Sequence, residues 1–228
     1  MTDHAAGGTA RPGERVLDLV AVMDRLRSPG GCPWDARQTH ESLVEYLIEE
    51  AYETVEAIEE ADSSMLREEL GDLLLQVVFH AQLARERGVF DFDAVCQRLV
   101  DKLVRRHPHV FGSVRVKDVD QVWANWEAIK KSEKAGSMHE RKSALDGVPR
   151  HLPALMRSQK LLKKAAKAGL AEVPAAPKAG ERKAMAAALF DLAARCQAAG
   201  WSAEELLRAE VGRRETVWRR AERSNTNR

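Results

Sequence analysis

Residues 41–81 read ESLVEYLIEEAYETVEAIEEADSSMLREELGDLLLQVVFHA, and this stretch decides the fold class. Leu43, Leu47, Ala51, Val55 and Ile58 recur at three- and four-residue intervals, the spacing of one helix face. Leu66, Leu70, Leu73, Val77 and Ala81 repeat that spacing after the polar turn Asp62-Ser63-Ser64. Two helices of this length joined by so short a turn are antiparallel neighbours. The first, from about Glu41 to Glu60, is open to capping by Thr39 or by Ser42, the latter with Glu45 in a capping box.

The same period continues outward. Val16, Leu19, Val20, Met23 and Leu26 mark a helix from about Arg15 to Leu26 that stops at Ser28-Pro29-Gly30-Gly31. Another begins near Phe92 and ends at His107-Pro108, and a further one follows Val116 through Trp123, Trp126 and Ile129. Three more are expected from about Leu152 to Ala168, Ala184 to Ala198 and Ala203 to Arg223, with residues 171–177 as a proline-bearing loop. The expected fold is therefore all-α, a helical bundle. Residues 1–13 are expected to form a disordered tail, 14–134 a first domain, 135–144 a linker and 145–228 a second domain.

Composition sets the outer limits. The chain has 228 residues, 44% hydrophobic and 31% charged, enough for one large domain or two small ones with their own cores. It contains no stretch of about 18 uninterrupted apolar residues, so no membrane span is expected. The first thirteen residues lack the apolar core of a signal peptide, and the expected compartment is the cytoplasm. Cys32, Cys96 and Cys196 lie far apart without a CxxC pair, which argues against a disulfide framework or a zinc site.

The net charge of +1 conceals a division. Residues 1–140 hold 17 basic and 26 acidic side chains, a balance of −9, whereas residues 141–228 hold 19 and 9, a balance of +10. The acidic part suggests a cation, or an anion bridged by one. The basic part suggests phosphate, nucleic acid or the acidic part of the same molecule. Its arginines are scattered among Ala and Glu without a recognised motif, so nucleic acid ranks last.

Eight glutamates and no lysine or arginine lie between Glu41 and Glu60. Glu45, Glu49, Glu53 and Glu56 stack along one side and repel one another, so a positive ligand is expected there. Glu50 and Glu53 are three residues apart and share a face, and Glu69 and Asp72 repeat the spacing on the next helix. In an antiparallel hairpin the two pairs sit at comparable heights. Four carboxylates converging in this way form an all-oxygen cage, suited to Mg²⁺ or Mn²⁺ and not to zinc. A di-iron bundle would need Glu-x-x-His, which neither pair has. The plain alternative is a solvated acidic face.

Glu49-Glu50-Ala51-Tyr52-Glu53 followed by Glu69-Leu70-Gly71-Asp72 resembles the EExxE…ExxD signature of MazG-type nucleoside triphosphate pyrophosphohydrolases. The similarity extends to Gly31-Cys32-Pro33-Trp34-Asp35, Gln38-Thr39-His40, residues 73–79 (LLLQVVF), residues 105–111 (RRHPHVF), Trp126-Glu127-Ala128-Ile129-Lys130 and Leu152-Pro153-Ala154-Leu155. It is close over roughly residues 14–170 and looser beyond.

This resemblance implies a bundle of the all-α NTP pyrophosphatase type, completed by a homodimer because one copy resembles half a bundle. It implies Mg²⁺-dependent hydrolysis of a nucleoside triphosphate to the monophosphate and pyrophosphate, in the role of clearing nucleotide pools. Glu50, Glu53, Glu69 and Asp72 are the implied metal ligands. Glu49, Glu50 and Glu53 are the implied catalytic carboxylates, Glu49 as a base beside the metal or as an additional ligand. Lys102, Arg105 and Arg106 are implied to hold phosphate, and Trp126 and Lys130 to lie near the nucleotide. Trp34 and His40 are placed either against the base or in packing and capping. His107 and His109 flank a proline and are expected to shape a turn.

Full MazG proteins resemble two tandem copies of the domain. Aligning residues 69–75 (ELGDLLL) with 184–190 (AMAAALF) keeps the apolar positions and turns both carboxylates into alanine. Residues 171–181, where a second EExxE belongs, hold only Glu172 and Glu181. The expected second copy is thus degenerate and lacks the metal site. A rival reading follows: a protein that keeps the pocket to sense nucleotide or metal, or to bind a partner, without catalysis.

Overall fold

A computed structural model describes residues 13–133 and 142–226. Every regular element among them is helical, and none is long and apolar enough to cross a membrane. The chain divides into two compact units between Trp126 and Glu127. Most of the expected linker, and nearly all of the expected N-terminal tail, lie outside the described residues.

The first unit contains α1 (Glu14–Arg27), α2 (Pro33–Arg37), α3 (Val44–Glu59), α4 (Ser63–Glu86), α5 (Phe92–Arg106), α6 (Pro108–Phe111) and the start of α7 (Val119–Ser132). The long helices match the periodicity, but α2 and α6 escape it because four or five residues show no period. Both begin at proline, whose missing N–H costs nothing in a first turn. Pro108 therefore ends one helix and starts the next.

Met23 of α1, Leu43, and Val78, Phe79 and Leu83 of α4 form the core, flanked by Leu19, Val20, Leu74, Leu75 and Phe92. Arg27 ties this end together: its guanidinium pairs with Glu86 at 2.7 Å, donates to the Asp35 carbonyl and lies over the Phe79 ring. Gly31 is required where it stands, because a Cβ there would sit 2.2 Å from the Leu26 carbonyl oxygen.

Two expectations need correction. Neither Thr39 nor Ser42 caps α3: the N-cap is Leu43, with no side-chain cap bond. Ser42 Oγ instead donates to Gln38 Oε1 at 2.7 Å and accepts from the Thr39 N–H, closing a turn that delivers Leu43 into the core. On α4, Leu70 and Val77 are 49% and 38% exposed, and the core is filled by Leu74, Leu75, Val78, Phe79 and Leu83. The run from Leu73 to Leu83 is apolar almost all round, so spacing alone does not select its buried face.

The turn between α3 and α4 fixes their register. Asp62 N–H donates to the Ala57 carbonyl and Ala61 N–H to that of Ile58, a Schellman pattern with Ala61 in the left-handed region at φ 56°. One residue later the Asp62 carboxylate accepts from Ser64 N–H at 2.7 Å and Met65 N–H at 3.1 Å, capping α4.

The second unit contains the rest of α7, α8 (Ala154–Lys167), a 3₁₀ turn (Ala179–Glu181), α9 (Arg182–Ala198) and α10 (Ala203–Thr226). Leu145, Leu161, Ala165 and Val211 form its core, with Leu207 and Trp218 against it. The buried Arg157 pairs with Glu215, which also holds Arg219, and Arg219 reaches Asp146 at 2.7 Å. Residues 171–178 hold no helix.

The tight turn gives a stability test. A left-handed alanine is strained relative to glycine, so Ala61→Gly should stabilise the first unit by about 1 kcal/mol. Asp62→Ala should destabilise it by about 1 kcal/mol through loss of the cap. Thermal unfolding followed by circular dichroism checks both, with opposite shifts expected from adjacent positions.

Candidate active site

The α3–α4 hairpin carries the acidic site. Thr54 is buried, donates its hydroxyl to the Glu50 carbonyl at 2.8 Å and reaches the Glu69 carbonyl across the hairpin at 3.5 Å. Stepping back along α3 from Thr54 to Glu50 steps forward along α4 from Glu69 to Asp72, as antiparallel helices require. Glu50, Glu69 and Asp72 are half-buried and offer carboxylate oxygens within 4.8 Å of one another. Among the described residues this is the one group able to hold a metal ion.

The cluster is electrostatically strained. Partial burial, followed by the charges of Asp72, Glu53, Glu69 and Glu49, pushes the Glu50 carboxyl above its ordinary value. Glu69 is raised in the same direction by desolvation and then by Glu53, Asp72, Glu68 and Glu56. Glu53 is exposed and lies outside the close group, so the expected four-carboxylate cage is three carboxylates with a fourth charge beside it. Glu49 is exposed on α3.

The other expected site residues fall into separate groups. Lys102 and Arg106 are half-buried on α5 and Arg105 is exposed. The Arg106 guanidinium lies 5.1 Å from the centre of the Trp126 ring, itself edge-on to Trp123. Lys130 pairs with Glu127 at 3.3 Å, and the boundary between the two units falls between Trp126 and Lys130. Trp34 is exposed and meets Tyr46 edge-on at 5.8 Å. His107 Nδ1 lies 2.6 Å from the Leu103 carbonyl oxygen, at the turn from α5 into α6, and its ring is 5.7 Å from that of His109.

His40 has a partner that the sequence did not suggest. Its Nδ1 lies 2.8 Å from Nδ1 of His80, with the rings stacked at 5.1 Å and 11°. Such a contact needs one Nδ1 to donate and the other to accept, so the two rings hold opposite tautomers at that atom. Burial first, then His40, lowers the pKa of His80. His80 and Gln76 follow Asp72 by eight and four residues, on the face that carries the acids. Continuing the Glu69, Asp72 series along α4 was the signal that could have found them.

Comparison with known proteins gives a consistent picture. Residues 38–111 match the family model of the MazG nucleotide pyrophosphohydrolase domain. The chain is 51% identical over 152 residues to the nucleoside triphosphate pyrophosphohydrolase of Escherichia coli K12, covering 66% of this chain and 57% of that protein. It is 54% identical over 143 residues to the uncharacterized protein YabN of Bacillus subtilis, covering 63% of this chain and 29% of that one. An uncharacterized 26.1 kDa protein of Streptomyces cacaoi, encoded in the blaB 3′ region, is 47% identical over 200 residues, 87% of this chain and 78% of that one. The chain thus spans between about a quarter and three fifths of the first two of these relatives.

The raised carboxyls predict a metal and pH signature. In chelator at pH 7, Glu50→Gln should raise the melting temperature by removing a repelled charge. The gain should shrink as pH falls through the raised native-state pKa of Glu50 toward its ordinary value of 4.5, because the folded wild type then takes up a proton that the unfolded chain still lacks. Mg²⁺ should raise the wild-type melting temperature with concentration and should leave that of Glu50→Gln nearly unmoved. Differential scanning fluorimetry across pH and Mg²⁺ reads both effects.

Proposed function

This chain belongs to the MazG family, and we propose from that premise that its first unit hydrolyses nucleoside triphosphates to monophosphate and pyrophosphate with Mg²⁺. The observation that carries this reading is the convergence of Glu50, Glu69 and Asp72 within 4.8 Å from two helices. The donor set is oxygen only, half-buried and held against its own repulsion, which fits a hard divalent cation. Mg²⁺ is the first candidate and Mn²⁺ the second. When bound, such an ion neutralises triphosphate oxygens and lowers the pKa of a water.

In this reading Glu50, Glu69 and Asp72 would hold the cation, with Glu53 as a further ligand. Glu49 orients the attacking water and takes its proton. Lys102, Arg105 and Arg106 bind phosphate oxygens, a role for which arginine's planar fork is suited. Trp126, which already carries the Arg106 guanidinium on its face, flanks the nucleotide. Trp34 and His40 lie on the side of the base. The role that follows is clearance of nucleotide pools in the cytoplasm.

A homodimer belongs to the same reading. None of the residues of α5 is buried, and Leu99, Val100, Leu103 and Val104 are between 43% and 52% exposed. Val55 and Ile58 of α3 are also exposed. Apolar faces of this extent fit a second copy completing the bundle. The second unit is read as a degenerate copy without a metal site, since alanines stand where the acids would align.

Pyrophosphate release from ribo- and deoxyribonucleoside triphosphates, with and without Mg²⁺, is the test. Wild type should release pyrophosphate only with the metal, and Glu53→Ala and Asp72→Ala should each lower kcat at least about a hundredfold. A folded, Mg²⁺-binding wild type that turns over no nucleotide would move the sensing or partner-binding reading to first place. Leu103→Glu should halve the mass measured by light scattering; an unchanged mass removes the dimer.

A further inference from the structure

Among the described residues, the buried side-chain atoms without a hydrogen-bond partner are Gln76 Oε1 and Arg157 Nε. Arg157 is otherwise engaged, since its terminal nitrogen pairs with Glu215 at 2.5 Å. Gln76 is different. It is 5% exposed, and an unpaired buried carbonyl is expensive enough that native structures rarely tolerate one without a use. Gln82, equally buried on the same helix, shows the ordinary outcome: its amide donates to Asp24 at 2.9 Å and Glu86 at 3.1 Å and accepts from Arg85.

Helix geometry places Gln76 at a particular point. At 100° per residue it falls between Glu69 and Asp72 in angle, on the face of α4 turned toward α3, and about 6 Å along the axis from Asp72. Another four residues on stands His80, stacked on His40. The register that sets Glu50 against Asp72 and His40 against His80 brings residues near Tyr46 opposite Gln76, and Tyr46 is edge-on to the exposed Trp34. The amide therefore lies on the same side of α4 about one turn from Asp72 of the cation site and about one turn from His80, which is stacked on His40. A nucleotide has matching parts in that order: a charged triphosphate, then a flat base whose edge carries donors and acceptors.

We propose that Gln76 reads the nucleobase edge, its carboxamide hydrogen-bonding to the exocyclic amino or carbonyl groups of a base seated among His40, His80, Trp34 and Tyr46. This inference rests on the nucleotide hydrolase reading above and adds a specificity-determining residue to it. Gln76 touches the base and not the reacting phosphorus, so its removal acts on base recognition.

The test compares substrates with and without the edge groups. ATP and CTP are assayed beside purine riboside triphosphate and pyrimidin-2-one riboside triphosphate, with wild type, Gln76→Met and Gln76→Glu. Wild type should favour the natural base of each pair by about tenfold or more in kcat/KM, because a polar site rejects an analogue that leaves it unpaired. Gln76→Met, matched in length, should abolish the preference while the ligand-free melting temperature holds or rises. Gln76→Glu keeps an acceptor and should retain part of the preference, which guards against a fault of packing in the methionine variant. A wild type indifferent to the edge groups, or variants whose preference matches wild type despite uniformly lowered activity, overturns the role of Gln76 and leaves the hydrolase reading intact. A wild type that releases no pyrophosphate from any of the four removes both.

Discussion

Three carboxylates held within 4.8 Å of one another by two helices are the constraint on which the first unit turns. Partial burial, and then their mutual repulsion, push Glu50 and Glu69 above the ordinary carboxylate range and oppose folding. Something else must hold α3 against α4. The turn at residues 60–62 does so at one end, through the left-handed Ala61 and the Asp62 cap, and Thr54 bridges the two backbones between the acids. At the far end, Leu43 is locked into the core with Met23, Phe79 and Leu83. The acids are thus preorganised by packing on both sides, which is what a metal site needs to bind without rearrangement.

The same hairpin organises the polar row along α4. Glu69, Asp72, Gln76 and His80 lie along one side of α4 over about three helical turns. Charge, amide and imidazole follow in sequence, so the face changes from one that binds cations to one that suits a neutral ring. The buried carbonyl of Gln76 is left without a hydrogen-bond partner. Polar groups left in that condition are a stability cost, and such costs collect at functional sites.

Much of this was legible in the sequence. The long helices were readable because their apolar residues recur with the helical period, and the acids because eight glutamates without a basic neighbour are abnormal on a solvated helix. Three of the four expected ligands converge, since i, i+3 spacing and a short turn suffice to place them. Glu53 differs because spacing gives a face and not a side-chain conformation. Helix α2 was too short to show a period, the cap of α3 depended on a turn fixed by tertiary packing, and the buried face of α4 was hidden by a run apolar on every side. Gln76 carries no mark in the sequence, because only burial reveals that its carbonyl lacks a partner.

The central claim is that Glu50, Glu69 and Asp72 bind the cation that carries the triphosphate. Crystals grown with Mn²⁺ and a non-hydrolysable nucleoside triphosphate analogue, measured at the manganese absorption edge, test it most directly. An anomalous peak bonded to carboxylate oxygens of all three residues and to phosphate oxygens of the analogue is the expected result. A nucleotide bound with its phosphates away from these acids, or manganese held elsewhere, would contradict it.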